Sequence, residues 1–151
     1  EAVHGTGGIV DKLVGDGVMA LWNAPSPRPD HVVRACEGVL ACRSAGRRLY
    51  ESAAWRATGL PPWRTRFGIH RTTASVGHFG APDRMSYTAM GDGVNLAARL
   101  EGMNKLYGTD VLVSDAVERE ARSRMVFRHI DRVVVKGKSA AVDVFLLLGR
   151  Q

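Results

Sequence analysis

The sequence predicts an α+β domain, on two observations. Segments with the alternation or apolar density of strands recur along the chain, and two long amphipathic segments separate them. A series of hairpin, helix, hairpin, helix and closing strands is typical of α+β proteins. The 151 residues are enough for one domain with a real core and too few for two. We therefore expect residues 1–151 to form a single domain.

The first hairpin is predicted from residues 8–14 and 17–22, with a Gly-Asp turn between them. Asp16 in this turn has a plain structural explanation, since Asp and Gly are the residues that tight turns use. The alternative is that the turn presents the Asp16 carboxylate as a hard oxygen ligand for Mg²⁺ or Mn²⁺. Lys12 lies on the same strand and shares the face of Val10 and Val14 if alternation is regular, so it either points inward to a partner or snorkels to the edge.

The middle of the chain is predicted to contain one helix followed by two strands. Asp30 is a favourable N-cap for an amphipathic helix over residues 31–50. Residues 51–62 contain Gly and Pro and are predicted to form a loop. Residues 63–71 and 74–80 have the composition of strands, and residues 81–86 are predicted to form a polar loop after them.

A second helix is predicted to begin after the turn Gly91-Asp92-Gly93 and to continue to Leu106. Asn95 and Arg99 are four residues apart, so they project from one face of this helix. The guanidinium suits phosphate, and the amide suits a ribose hydroxyl or ring oxygen. Two polar residues on a solvated face are the simpler interpretation of such a pair.

The last third of the chain is predicted to contain a strand, a short helix and two more strands. The strands cover residues 109–113, 127–135 and 141–148, and the helix begins at Ser114-Asp115. A turn with Lys136 and Lys138 around a glycine is predicted to join the last two strands. Such a turn is usually a solvated hairpin tip.

Four segments, in order, resemble the class III nucleotidyl cyclases. They are V-D-K-L-V-G-D-G-V-M-A-L-W, F-G-I-H-R-T-T-A-S-V-G-H-F-G, Y-T-A-M-G-D-G-V-N-L-A-A-R-L-E and the terminal V-V-V-K-G-K. The resemblance implies a ferredoxin-like antiparallel sheet with helices packed on one side. It also implies an adenylate cyclase, which converts ATP to 3′,5′-cyclic AMP and pyrophosphate.

The resemblance assigns purine selection to Lys12 and Thr88. Lysine at the first position donates to N1 of adenine, and Thr88 stands where many of these cyclases carry an aspartate that accepts from the exocyclic amine. A threonine hydroxyl accepts the same hydrogen bond without adding charge. The Lys12 and Thr88 combination resembles a subgroup that includes bicarbonate-responsive cyclases, which makes bicarbonate a candidate regulator.

The resemblance assigns the reaction itself to four other residues. Asp16 is one of two carboxylates that hold two Mg²⁺ or Mn²⁺ ions, Asn95 fixes the ribose and Arg99 neutralises charge on the α-phosphate. Lys136, in preference to Lys138, reaches over the triphosphate. Because such sites form between two chains and this chain carries both sets of residues, the resemblance implies a homodimer with two shared active sites.

The sequence departs from the family pattern at two places. The first metal carboxylate of the family lies on a strand some forty residues ahead of the hairpin, and the nearest acidic residues here, Glu1 and Asp11, do not match its setting. The domain is therefore expected to lack that strand and the helices after it, and to be poorly active alone. Thr72 stands where the family usually has a turn glycine.

Two other functions are weighed against the enzyme. One is a catalytically silent homology domain that dimerises and regulates a partner. The other is RNA binding, suggested by the formal charge of +6, but the arginines are dispersed and the central strands lack stacking aromatics. No apolar run approaches the roughly 20 residues of a membrane span, so a cytoplasmic domain is expected, although its parent protein could be membrane-anchored.

Overall fold

The computed structural model describes residues 1–81, 83–134 and 141–151. The helices are α1 (Ala2–Gly5), α2 (His31–Glu51), α3 (Ala53–Ala57), α4 (Asp92–Tyr107) and α5 (Asp115–Ala121). The strands are β1 (Ile9–Val14), β2 (Gly17–Leu21), β3 (Phe67–Ile69), β4 (Ser75–Ala81), β5 (Arg84–Met90), β6 (Val111–Ser114), β7 (Met125–Val134) and β8 (Ala141–Arg150). No helix in the described ranges is long and apolar enough to cross a membrane.

Three sheets are formed within the described residues. The largest has the strand order β3, β6, β8, β7, in which β8 pairs antiparallel with both β6 and β7. Strand β3 pairs with β6 in parallel. The other two sheets are the antiparallel hairpins β1–β2 and β4–β5. The predicted α+β class and its mainly antiparallel pairing are therefore confirmed, with one parallel pair added.

Helices cover both faces of the four-stranded sheet, rather than the one face expected from the resemblance. On β6, Val111 and Val113 belong to the core cluster that α2 and α5 complete. Leu112, between them, belongs to the cluster formed with Leu96 and Leu100 of α4. Successive side chains of a strand point to opposite faces. Because this strand is apolar on both faces, it needs a helix on each side.

Helix α4 approaches strand β3 very closely at Gly68. A Cβ atom built on Gly68 would clash with the carbonyl oxygen of Ala97 and the backbone nitrogen of Glu101, and would lie 3.1 Å from the Cα of Glu101. The buried side chain of Asn104 adds a polar link, because its Nδ2 donates to the Phe67 carbonyl oxygen at 2.9 Å. Gly68 and Asn104 together fix the position of α4 against the sheet.

The strands after the first helix differ from the sequence prediction. The segment predicted over 63–71 is a strand only at Phe67–Ile69, and it pairs with β6 instead of with the strand that follows it. Strand β4 pairs with β5, which begins at Arg84 inside the predicted loop 81–86. Alternation alone predicted the strands, but it contains no information on which partner a strand takes.

Part of the predicted loop 51–62 is the short helix α3. Its N-cap, Ser52, accepts a hydrogen bond at its Oγ from the Trp55 backbone nitrogen at 3.2 Å. The Trp55 ring makes edge contacts with Tyr50 and Trp63, with centroids 5.3 and 5.8 Å away. A local cap and aromatic packing thus stabilise a helix in a segment whose sequence favours helix only weakly.

Both cysteines are free thiols. Cys36 is fully buried in the core between α2 and the sheet. Burial, assisted by the charge of Glu37, raises the pKa of the Cys36 thiol to about 12. At neutral pH the Cys36 thiol therefore stays protonated. Because the thiolate is the reactive form, Cys36 acts as a packing residue.

We expect Gly68→Ala to destabilise the fold, because the new methyl group meets backbone atoms that cannot rotate away. The expected loss is at least about 1–3 kcal/mol in the free energy of unfolding, the range for overpacked cores. Gly77→Ala in β4 is the matched control, since nothing lies within 4 Å of a Cβ built there. Urea unfolding of both variants checks this, and equal midpoints for the two would contradict the close packing of α4 on β3.

Candidate functional site

Asp16 lies at the exposed tip of the β1–β2 hairpin. Gly15 before it has φ of +62°, a conformation that favours glycine and closes the tight turn. Among the described residues, no three His, Cys, Asp or Glu side chains lie close enough to hold a metal ion. Asp16 is accessible to an ion that takes its remaining ligands from a substrate, and its role as a metal ligand stays a prediction.

Strand β1 contains a bulge at Asp11. Val10 pairs with Ala20 and Lys12 pairs with Met19, so the intervening Asp11 has no separate partner on β2. Because Ala20 and Met19 are consecutive, Val10 and Lys12 point to opposite faces, whereas regular alternation predicted a shared face. The Lys12 side chain is 42% exposed, while that of Asp11 is only 1% exposed. The inward-pointing charged residue of this strand is therefore Asp11.

The Asp11 carboxylate joins the two residues predicted to select the purine. Thr88 Oγ1, on β5, donates to Asp11 Oδ2 at 2.6 Å. The ammonium nitrogen of Lys12 is 4.0 Å from the same oxygen. A hydroxyl donating to a carboxylate at this distance makes a strong, charge-assisted hydrogen bond. Lys12 and Thr88, 76 positions apart by number, thus meet at one carboxylate oxygen of the same chain.

A cleft of about 420 Å³ opens beside this carboxylate. Strands β1 and β5 supply the residues that line it, which are Ile9, Val10, Asp11, Lys12, Ser86 and Tyr87. Thr88 follows Tyr87 on β5 and is 5% exposed. The Tyr87 ring is supported by an edge contact with His78 of β4, with centroids 5.3 Å apart. The lining of the cleft therefore includes two charged residues, Asp11 and Lys12, and one aromatic residue, Tyr87.

From the sequence, Asp11 does not match the setting of a metal carboxylate, and no other role is predicted for it. The signal that could have singled it out is an acidic residue inside a strand, a position where Asp is depleted. A buried carboxylate requires hydrogen-bonding or charged partners. Thr88 and Lys12 are those partners.

Asn95 and Arg99 lie on the exposed side of α4, as predicted from their spacing. Leu96 and Leu100, one position further along in each case, are at most 1% exposed and face the sheet. The helix begins after Gly91, whose φ of 145° favours glycine. The predicted turn over residues 91–93 is thus the N-cap and first turn of the helix.

Arg99 also borders a second cleft, of about 480 Å³. The other lining residues are mostly apolar and come from α4 and β7; they are Gly102, Met103, Leu106, Tyr107, Val133 and Val134. Arg99 is exposed, so its guanidinium is accessible to an anion from solvent.

Thr72 packs against the first turn of α4. A Cβ atom on the buried Gly93 would clash with Thr72 Cγ2, and would lie 2.5 Å from its Cβ and 2.6 Å from its Oγ1. Threonine at 72 therefore requires glycine at 93. Thr72, which stands where the family usually has a turn glycine, is accommodated in this way at the start of the helix that carries Asn95 and Arg99.

The predicted site residues thus fall into two groups on different parts of the fold. Lys12 and Thr88 are brought together by Asp11, which lies with Lys12 on the hairpin whose tip is Asp16. Asn95 and Arg99 share the exposed face of α4. Lys136 lies outside the described residues.

Nearly the whole chain is similar to known proteins. The family model described as the adenylate and guanylate cyclase catalytic domain matches residues 9–149. Adenylate cyclase 1 of Rhizobium meliloti (strain 1021) is 46% identical over 149 residues, covering 99% of this chain and 22% of that relative. The adenylate cyclase of Anabaena cylindrica is 33% identical over 150 residues, covering 96% of this chain and 29% of the relative. The chain thus spans less than a third of either relative.

A similar solved structure is the crystal structure of the adenylyl cyclase CyaB from P. aeruginosa. It superposes with a TM-score of 0.88 at 31% sequence identity, covering 99% of this chain and 76% of that chain. This likeness confirms the predicted fold class, including the catalytic core that the four sequence segments indicated.

We expect Gly93→Ala to destabilise the protein by about 1–3 kcal/mol, because the methyl group overlaps the stiff, β-branched side chain of Thr72. Removing that side chain in the double variant Thr72→Gly, Gly93→Ala should recover most of the loss beyond the effect of Thr72→Gly alone. A double-mutant cycle of unfolding free energies measures the coupling. Strictly additive effects would show that the two residues do not touch.

Proposed function

Because this chain belongs to the adenylate and guanylate cyclase catalytic domain family, we propose that the protein containing it converts ATP to 3′,5′-cyclic AMP and pyrophosphate. The observation that carries the choice of ATP is the meeting of Lys12 and Thr88 at the Asp11 carboxylate, beside the 420 Å³ cleft. The names of the two relatives, both adenylate cyclases, agree with it.

The cleft suits adenine better than guanine. The Lys12 ammonium is a donor only, and N1 of adenine is an acceptor, whereas N1 of guanine carries a hydrogen. Thr88 accepts from the exocyclic amine of adenine. With 5% of its surface exposed, Thr88 offers the base one narrow contact.

The chemistry is an in-line attack of the ribose 3′-oxygen on the α-phosphorus. Arg99 is placed to neutralise negative charge that grows on the α-phosphate, and Asn95 to hold the ribose in the attacking orientation. Lys136 is proposed to bind the triphosphate. These residues act by position and charge, as is usual in phosphoryl transfer.

Divalent metal ions are used across this family, and Asp16 fits a ligand for Mg²⁺ or Mn²⁺ because its carboxylate is exposed at a hairpin tip. When bound, such ions, proposed to be two, would activate the ribose oxygen and stabilise the leaving pyrophosphate. The use of ATP argues for a cytoplasmic location, and bicarbonate is a candidate regulator.

We propose that two copies of the chain share each active site. The β1–β2 hairpin beside Asp16 exposes an unusual amount of apolar surface, with Leu13 75%, Val14 61% and Val18 61% exposed. Exposed apolar patches of this kind mark protein contacts. We propose that a second copy covers this hairpin and contributes its own Asn95 and Arg99 to the site at Asp16, in a symmetric dimer with two equivalent sites.

We expect the full-length protein with Mn²⁺ to produce cyclic AMP from ATP, and much less cyclic GMP from GTP. Arg99→Ala should lower kcat/KM for ATP on the order of 10²- to 10³-fold, the usual cost of losing one stabilising donor. Arg48→Ala is the matched control, since Arg48 is an exposed arginine on another helix. Chromatographic separation of the products measures both.

Failure to form either cyclic nucleotide with Mn²⁺ would overturn the proposed enzyme and favour a silent, dimerising homology domain. Cyclic GMP as the main product would retain the cyclase but overturn the choice of ATP.

We expect an equimolar mixture of Asp16→Ala and Arg99→Ala chains to regain about one quarter of wild-type activity. Random pairing makes half of the dimers mixed, and each mixed dimer has one intact site of two. The control is Asp16→Ala mixed with the double variant Asp16→Ala, Arg99→Ala, which should regain nothing. Absence of rescue in the first mixture would contradict a shared site.

A further inference from the structure

We propose that Asp11 is a positioning residue that makes the Thr88 hydroxyl an obligate hydrogen-bond acceptor and so enforces the choice of adenine over guanine. This inference rests on the proposed function, in which Lys12 and Thr88 contact the purine. Asp11 itself recognises no part of the nucleotide. It acts through Thr88.

A threonine hydroxyl alone cannot distinguish the two purines. It has one hydrogen to donate and two lone pairs that accept. It can therefore accept from the exocyclic amine of adenine or, after rotating, donate to the carbonyl oxygen at the same position of guanine. Thr88 needs a further group that decides the direction of its hydrogen.

Asp11 is placed to make that decision. Its Oδ2 takes the Thr88 hydrogen at 2.6 Å, and the next acceptor, the Ala89 carbonyl oxygen, is distant at 3.4 Å. Because both are acceptors, the Thr88 hydrogen is directed into the protein and only lone pairs remain for a ligand. An amine is then accepted, and a carbonyl oxygen meets lone pairs without a hydrogen between them.

The bulge in β1 is what places the carboxylate there. Without the extra residue, alternation would continue along the strand, whereas the bulge turns Asp11 inward until its side chain is 1% exposed. The same Oδ2 lies 4.0 Å from the Lys12 ammonium. One carboxylate oxygen therefore orients the acceptor of the purine site and lies beside its donor.

The test compares kcat/KM for ATP and GTP in the full-length protein with Mn²⁺. Asp11→Ala removes the acceptor, so the Thr88 hydroxyl can rotate and donate to guanine. The preference for ATP should therefore fall by about tenfold or more, which corresponds to the free energy of one hydrogen bond. Asp11→Asn keeps an acceptor oxygen and should retain most of the preference. This rescue is not expected if Asp11 contributed only its charge.

A second background separates positioning from mere support of the fold. In Thr88→Val the hydroxyl is absent, so adding Asp11→Ala should change the ratio no further. If Asp11 were only structural, both nucleotides would lose efficiency together, and an unchanged ATP-to-GTP ratio in Asp11→Ala would overturn the proposal. A further fall of the ratio in the Thr88→Val background would overturn it as well.

The failure of the proposed function is distinguishable from the failure of this inference. Competition of ATP and GTP against a fluorescent nucleotide gives a ratio of dissociation constants that needs no turnover. A wild-type protein that binds nucleotide without forming product overturns the cyclase, while the same variants still decide the role of Asp11. A wild-type protein that binds neither nucleotide overturns both.

Discussion

The placement of helix α4 depends on the absence of a side chain at Gly68. Backbone atoms of Ala97 and Glu101 occupy the space that a methyl group would take. The Asn104 amide then links the helix to the edge strand through the Phe67 carbonyl oxygen. This approach decides which side of α4 faces the sheet, and hence that Asn95 and Arg99 face outward.

The part of the proposed site that would bind the purine depends on a second local irregularity, the bulge at Asp11. The bulge turns a carboxylate into the space between β1 and β5, where Thr88 donates to it. A buried carboxylate without such partners would destabilise the fold. The hydrogen bond therefore serves the stability of the hairpin and, on our account, the choice of the base.

Much of this architecture could be predicted from the sequence. The helix that carries Asn95 and Arg99, the first hairpin and the long helix from His31 follow from periodicity and turn residues. Four segments in family order were sufficient to indicate the family, which the comparisons confirmed. These features are local, so each is determined by residues close together in the chain.

What the sequence did not predict depends on contacts between distant segments. The bulge shifts alternation by one residue, so Lys12 and Val10 were assigned to the same face and Asp11 was not recognised as the inward residue. The parallel pairing of β3 with β6, and the helix on each face of β6, depend on partners that periodicity does not specify.

In the proposed dimer, the two groups of residues, which are separate within one chain, close around one nucleotide. The most direct measurement is a crystal structure of the full catalytic domain with Mn²⁺ and an ATP analogue that cannot cyclise. We predict that Asp16 of one protomer and Arg99 of the other contact the same triphosphate, with the purine beside Lys12 and Thr88. A triphosphate held by Asp16 and Arg99 of a single protomer, or a purine bound away from Lys12, would contradict this account.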